Sequence, residues 1–308
     1  MIVRRDALKL ALAATLAPAL ARTADAPAPL ITRAIPKSGE RLPVVGLGSS
    51  ATFSSTAAGE ERQRLRDVFA SMLERGGTVF DTAPAYGASE EVAGQIAREA
   101  GLAGKLFWAT KLNVAQGGRA DPERARAQIE ASFQRIGKPV IDLIQVHNMG
   151  DVATQFGLLR ELRDRKRIRY AGVTTTFPRQ YDMLGQAMRA EPLDFIGVDY
   201  AIDNRTMEER ILPLAAERGI AVLAYAPFGR TRLWDKVRGH DVPPWAAEIG
   251  IRSWAQFFLK FVVSHPAITC ATPATSRPAN VIDNLGAARG ELPGRALRAR
   301  MIEHIESL

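Results

Sequence analysis

Eight short apolar runs, each followed by a stretch of different period, constrain this chain more than any other feature. The runs fall at residues 44–48, 78–81, 106–111, 142–147, 170–174, 195–200, 221–225 and 267–272. Each has the length and apolar continuity of a buried strand. Helical patterning predicts helices over 60–75, 89–100, 122–136, 152–167 and 207–217, with two more starting near Pro178 and Pro278. Strands that alternate with helices eight times predict an α/β fold of the (β/α)8 TIM-barrel type. A doubly wound sheet is the runner-up, and the lack of a Gly-x-Gly-x-x-Gly turn counts against it. Residues 31–35 and 42–44 read as a hairpin that caps the bottom of the barrel. The connection 226–250 is unusually long and rich in Arg, Pro and Trp, so it is expected to act as a lid.

A hydrophobic content of 46% over 308 residues is ample for one large core. The net charge of +8 raises the question of nucleic acid. The arginines, however, are scattered along helices as solvated faces, with no interleaved aromatics. Nucleic-acid binding is therefore not expected. A single cysteine, Cys270, excludes an intramolecular disulfide, and no Cys/His cluster has metal-ligand spacing.

The first 29 residues read apart from the rest. Arg4-Arg5 precedes an Ala/Leu-rich run at 10–21 that is too short and weakly apolar to span a bilayer readily. Small-residue sites at 19–21 and 24–26 and a Pro/Ala spacer follow. The pattern reads as a signal peptide with a twin-arginine export signal, which gives a periplasmic destination without a stable membrane anchor. The alternative is an N-terminal extension on a cytoplasmic protein. The expected division is signal and spacer over 1–29 and barrel over 30–308.

Chemistry-bearing side chains stand at the ends of three successive strands. Asp81 ends the second, with Tyr86 on the loop after it; Lys111 ends the third and His147 the fourth. In a barrel these positions face one space at the top. On this set the chain resembles the aldo-keto reductases. The resemblance rests on Asp81-Thr82-Ala83, Tyr86-Gly87, Ser89-Glu90, Thr110-Lys111 and Gln145-Val146-His147-Asn148. It resumes at Thr272-Pro273-Ala274-Thr275-Ser276-Arg277-Pro278 and Asp283-Asn284, and spans roughly residues 31–290.

A phenol gives up its proton poorly at neutral pH unless an ammonium stands beside it. The resemblance implies Tyr86 as general acid toward a carbonyl oxygen, Lys111 as its tuner, Asp81 as the orienter of Lys111, and His147 as a hydrogen-bonding partner of the same oxygen. It further implies a reduced nicotinamide, NADPH with NADH possible, a small carbonyl substrate and a monomer. The implied cofactor positions are Ser49 in the first top loop, Thr174 and Thr175 at the end of strand five, and Tyr225, Phe228, Gly229 and Arg230 after strand seven. Tyr225 would stack on the nicotinamide. At the start of the last barrel helix, Thr275, Ser276, Arg277, Asn280, Asp283 and Asn284 would meet the phosphate and adenine. Phe53, Asn113 and Asn148 are expected at the substrate mouth, with Trp234 or Trp245 covering it.

Several positions depart from the family's pattern. Thr174-Thr175 replaces a Ser-Asn pair, Gly197 replaces a glutamine, and Asn280 and Ala274 replace basic residues near the phosphate end. Arg277 can stand in for these. A second function class therefore stays open, a nucleotide-bound regulatory protein with little turnover.

Overall fold

The computed structural model describes residues 28–308 except 51, 56–58 and 116–117. The expected signal segment therefore falls almost wholly outside the described residues. Two short strands, β1 (Thr32–Ala34) and β2 (Arg41–Pro43), pair antiparallel as the expected hairpin. The alternating units follow in order. They are β3 (Leu47–Gly48) and α1 (Gly59–Glu74), β4 (Val79–Asp81) and α2 (Ser89–Glu99), β5 (Phe107–Leu112) and α3 (Pro122–Ile136), then β6 (Ile141–His147) and α4 (Val152–Asp164). Next come β7 (Ile168–Thr175) and α5 (Tyr181–Ala190), β8 (Phe195–Asp199) and α6 (Ile211–Glu217), and β9 (Ala221–Tyr225) with α7 (Arg232–Lys236) and α8 (Trp254–Ser264). β10 (Cys270–Ala271), α9 (Pro278–Gly286) and α10 (Arg295–Ser307) complete the chain.

β3 to β10 pair in sequence order, all parallel, and parallel bridges Val45–Ala271 and Gly48–Ala274 bring the last strand against the first. The TIM barrel is thereby realised. Gly48 sits at this seam because a Cβ there would stand 2.6 Å from the Thr272 carbonyl oxygen.

Two apolar layers follow from the pleat. Inward side chains of the lower barrel, Val79, Phe107, Leu143, Tyr170, Phe195 and Leu223, pack with Ile35 and Leu42 of the hairpin. Three of their rings meet at 5.5 to 6.1 Å between centroids. Outward side chains meet the helices in a larger shell that includes Phe69, Phe80 and Trp108. Each such fully buried aromatic contributes about 2–3 kcal/mol. The core fills the barrel from below, and a cleft opens at the upper end.

Local rules explain most boundaries. Asp121 accepts from the amides of Glu123 and Arg124 ahead of Pro122, and Gly137 closes α3 in the left-handed region at φ 73°. The helix expected at 207–217 starts at Ile211 instead, after a separate 3-10 turn at Thr206–Glu208. Pro213 has no amide hydrogen and fits only the first turn of that helix. The 226–250 connection is not a free lid. It carries α7 and a 3-10 turn at Pro244–Ile249, and α8, which the sequence reading did not identify, follows it. No helix among the described residues is long and apolar enough to cross a membrane.

Candidate active site

The strand register sets the site. Asp81 ends β4 opposite Gly48 on β3, Lys111 on β5 stands opposite Gln145 on β6, and His147 ends β6 opposite Thr174 on β7. These upper ends surround a cleft of about 600 Å³. Its lining includes Ser49, Asp81, Tyr86, Lys111, His147, Asn148, Thr174, Tyr225, Phe228 and Arg230.

At its floor the Lys111 ammonium donates to Asp81 Oδ2 at 2.8 Å and to the Thr82 carbonyl at 2.8 Å. Both side chains of this ion pair are buried. Burial works against the ammonium, but the charge of Asp81 and the phenol of Tyr86 outweigh it, so the Lys111 pKa lies above its ordinary value. A permanent cation is thus fixed 5.0 Å from the centroid of the Tyr86 ring. Tyr86 reaches it from the β4–α2 loop, where Gly87 turns at φ 60°. The Tyr86 and His147 rings meet edge to face at 5.9 Å.

His147 is held neutral. Burial, and then the Lys111 charge, lower its pKa to about 3. Its Nδ1 is buried without a hydrogen-bond partner among the described residues, and so is the Thr272 hydroxyl on the same cleft.

The remaining expected residues divide. Ser49 lines the cleft, but its hydroxyl is committed, donating to the Asp81 carbonyl and accepting from Ser89. Arg230 donates to Thr176, while Gly229 supports a tight turn at φ 59° without lining the cleft. Thr275, Ser276, Arg277 and Asn280 lie just past Ala274, around the first turn of α9. Arg277 is exposed, and its guanidinium makes no ion pair among the described residues. Asn284 is buried, and Asp283 is engaged by Ser253 and Gln256 at the start of α8.

Four expectations need correction. Thr175 does not reach the cleft: on β7 alternate side chains face opposite ways, and its hydroxyl bonds to Gln180 and the Phe177 amide. Thr174 and Thr176 line the cleft instead. Phe53 is fully buried against Phe69 and Phe80, and its neighbour Thr52 lines the cleft. Asn113 is tied by its backbone to Gln128 and stands outside the lining. Trp234 packs on Phe228 and Phe258, and Trp245 on Phe257 and His304, so neither covers the mouth.

Tyr225 is anchored at the floor. Its hydroxyl donates to Asp81 Oδ1 at 3.2 Å and accepts from Gln145 Nε2 at 2.8 Å. Gln145, buried and opposite Lys111, enters the sequence reading only within the Gln145–Asn148 segment and is given no role there, although an inward polar residue one strand from a lysine is the available signal.

Comparison with known proteins bears on this arrangement. A family model described as "Aldo/keto reductase family" matches residues 44–299. The chain is 30% identical over 203 residues to aldo-keto reductase YhdN of Bacillus subtilis, covering 63% of this chain and 60% of the relative. It is 27% identical over 205 residues to aldo-keto reductase str7 of Strobilurus tenacellus, covering 64% and 59%. The match thus spans about three fifths of each of these relatives' length. The crystal structure of an aldo-keto reductase from Klebsiella pneumoniae in complex with NADPH superposes with a TM-score of 0.74 at 25% identity, covering 90% of this chain and 95% of that one. With the barrel, its upper cleft and a match over most of its length, the chain belongs to the aldo/keto reductase family.

Proposed function

We propose that this protein reduces an aldehyde or ketone to an alcohol, with NADPH as the reductant. The observation that carries the reading is the convergence of Tyr86, the buried Lys111–Asp81 pair and a neutral His147 on one cleft. Tyr86, with the Lys111 ammonium 5.0 Å from its ring centroid, donates to the substrate oxygen as negative charge develops there. Asp81 keeps Lys111 charged and still. His147, being neutral, donates one hydrogen bond to the same oxygen and adds no charge to compete with Lys111.

The residues present fit a nicotinamide nucleotide. Thr174 and Thr272 line the cleft, Arg230 lies at its edge, and Arg277, exposed and without an ion pair among the described residues, stands by the α9 N-terminus, where an anion is favoured. Bound there, the reduced nicotinamide supplies the hydride. The Klebsiella pneumoniae relative solved with NADPH supports this choice, and Arg277 as the available guanidinium favours a 2′-phosphate over NADH.

One observation favours a second reading, a nucleotide-holding regulatory protein. Thr175 faces away from the cleft and Gly197 offers no side chain, so two cofactor contacts are missing. Titrating the chain from residue 27 onward with NADPH, then NADH, by intrinsic fluorescence, followed by an aldehyde panel read at the nicotinamide absorbance, separates the two. Binding with turnover supports the reductase; binding without turnover supports the regulator. Export by the twin-arginine route belongs to the same proposal and rests on Arg4-Arg5 and the run after it. Cell fractionation of the full chain beside an Arg4→Lys/Arg5→Lys variant tests it, and an identical distribution of the two would refute it.

A further inference from the structure

Gly197 on β8 has no side chain, and the space beside it is occupied. A Cβ built there would stand 2.4 Å from Tyr225 Cε2, 2.6 Å from its hydroxyl oxygen and 2.7 Å from Cζ. The Tyr225 ring therefore lies where any other residue at 197 would put its side chain. In that seat its hydroxyl bridges Gln145 and Asp81. Asp81 is consequently held by both oxygens, Oδ1 by the Tyr225 hydroxyl and Oδ2 by the Lys111 ammonium. A carboxylate bound through one oxygen can turn about its Cβ–Cγ bond and carry the ammonium with it; one bound through both cannot. Lys111 Nζ sits 5.2 Å from the Tyr225 ring and 5.0 Å from the Tyr86 ring, so the two phenols flank one cation. Burial and the Asp81 charge keep the Tyr225 phenol protonated, as donation to a carboxylate requires.

We propose that Tyr225, oriented by Gln145 and admitted by Gly197, is a positioning residue that locks Asp81 and hence the Lys111 ammonium beside Tyr86. The proposal rests on the reductase reading above. It makes the side chain missing at 197 more than a lost cofactor contact, because the vacated space lets a second phenol brace the ion pair.

Tyr225→Phe keeps the ring and removes only the hydroxyl. With wild-type turnover in hand, kcat is expected to fall about tenfold, the loss of one hydrogen bond to a charged group. KM for the aldehyde and the NADPH Kd stay within twofold. Gly197→Ala expels the ring and gives at least the same fall, and Tyr225→Phe adds little in the Gly197→Ala background. A Tyr225→Phe chain with kcat within twofold of wild type, or with its whole defect in the NADPH Kd, would overturn the proposal in favour of a ring that only packs on the cofactor. A second measurement needs no turnover. In protein labelled with [ζ-13C]tyrosine, the Tyr225 resonance is assigned by its loss in Tyr225→Phe. It is expected to shift in Gly197→Ala and in Asp81→Asn. A resonance unmoved by Asp81→Asn overturns the contact. A resonance that shifts in a chain without turnover upholds the contact and overturns the reductase reading instead.

Discussion

Lowering the pH from 7.5 to 4.5 is expected to destabilise this chain by about 2.7 kcal/mol through His147 alone. Burial and the neighbouring Lys111 ammonium put the folded-state pKa near 3, whereas an unfolded histidine titrates near 6.5. Between those values the unfolded chain carries one more proton at this position than the folded one, so stability rises with pH across the window. The contribution is intact above about pH 6.5 and is lost progressively as pH falls toward 3. At pH 4.5 the unfolded imidazole is charged and the folded one is still neutral. The loss is then roughly two pH units at 1.36 kcal/mol each, about 2.7 kcal/mol. The figure hardly depends on the folded value so long as that value lies well below 4.5. The assay is urea unfolding at both pH values for wild type and His147→Gln. His265 and His304 are also lowered by burial, but they titrate alike in both proteins and cancel in the comparison. Wild type should lose about 2.7 kcal/mol more than His147→Gln between the two pH values. Equal losses would refute the claim that the site holds a neutral imidazole.

Other expectations follow from the same geometry. Lys111→Met leaves Asp81 buried without its cation, and should cost about 3 kcal/mol of stability by urea unfolding, at the low end for a broken buried pair because the Tyr225 donor remains. A stability within 1 kcal/mol of wild type would mean the pair is not formed. Thr174→Val should weaken NADPH binding by about 1 kcal/mol in a fluorescence titration, while Thr175→Val leaves it within error, because only the first hydroxyl faces the cleft. Arg277→Ala should weaken NADPH about tenfold and leave NADH nearly unchanged, as expected for a charge-assisted contact with a 2′-phosphate; equal effects on both would move that contact elsewhere.

Much of this was legible in the sequence, for identifiable reasons. Asp81, Lys111 and His147 end continuous apolar runs, so their place at the top of the barrel follows from strand length and parallel order. Thr175 was misjudged because neighbouring residues of a strand point to opposite sides, and a Thr-Thr pair does not announce which one faces inward. Phe53 was misjudged because an aromatic in a polar loop fits a pocket edge as well as a core, and only its rings of contact with Phe69 and Phe80 decide between them. α8 was missed because its polar stripe, Gln256, Lys260 and Ser264 at every fourth position, is narrow among apolar residues, and it is spent inside the fold, where Lys260 donates to the Arg289 and Glu291 carbonyls. Tyr225 and Gly197 lie 28 positions apart in sequence. Each is readable alone as a departure or a match; their shared space exists only once β8 and β9 are paired.

The central claim is that Tyr86 gives its proton to a carbonyl in this cleft. The most direct measurement is aldehyde-dependent oxidation of NADPH by wild type and Tyr86→Phe at saturating cofactor, with NADPH Kd determined for both. The account predicts turnover in wild type, a loss of at least 100-fold in kcat for Tyr86→Phe, of the order expected for removing a general acid, and an unchanged Kd. A Tyr86→Phe protein that reduces the aldehyde at the wild-type rate would contradict it.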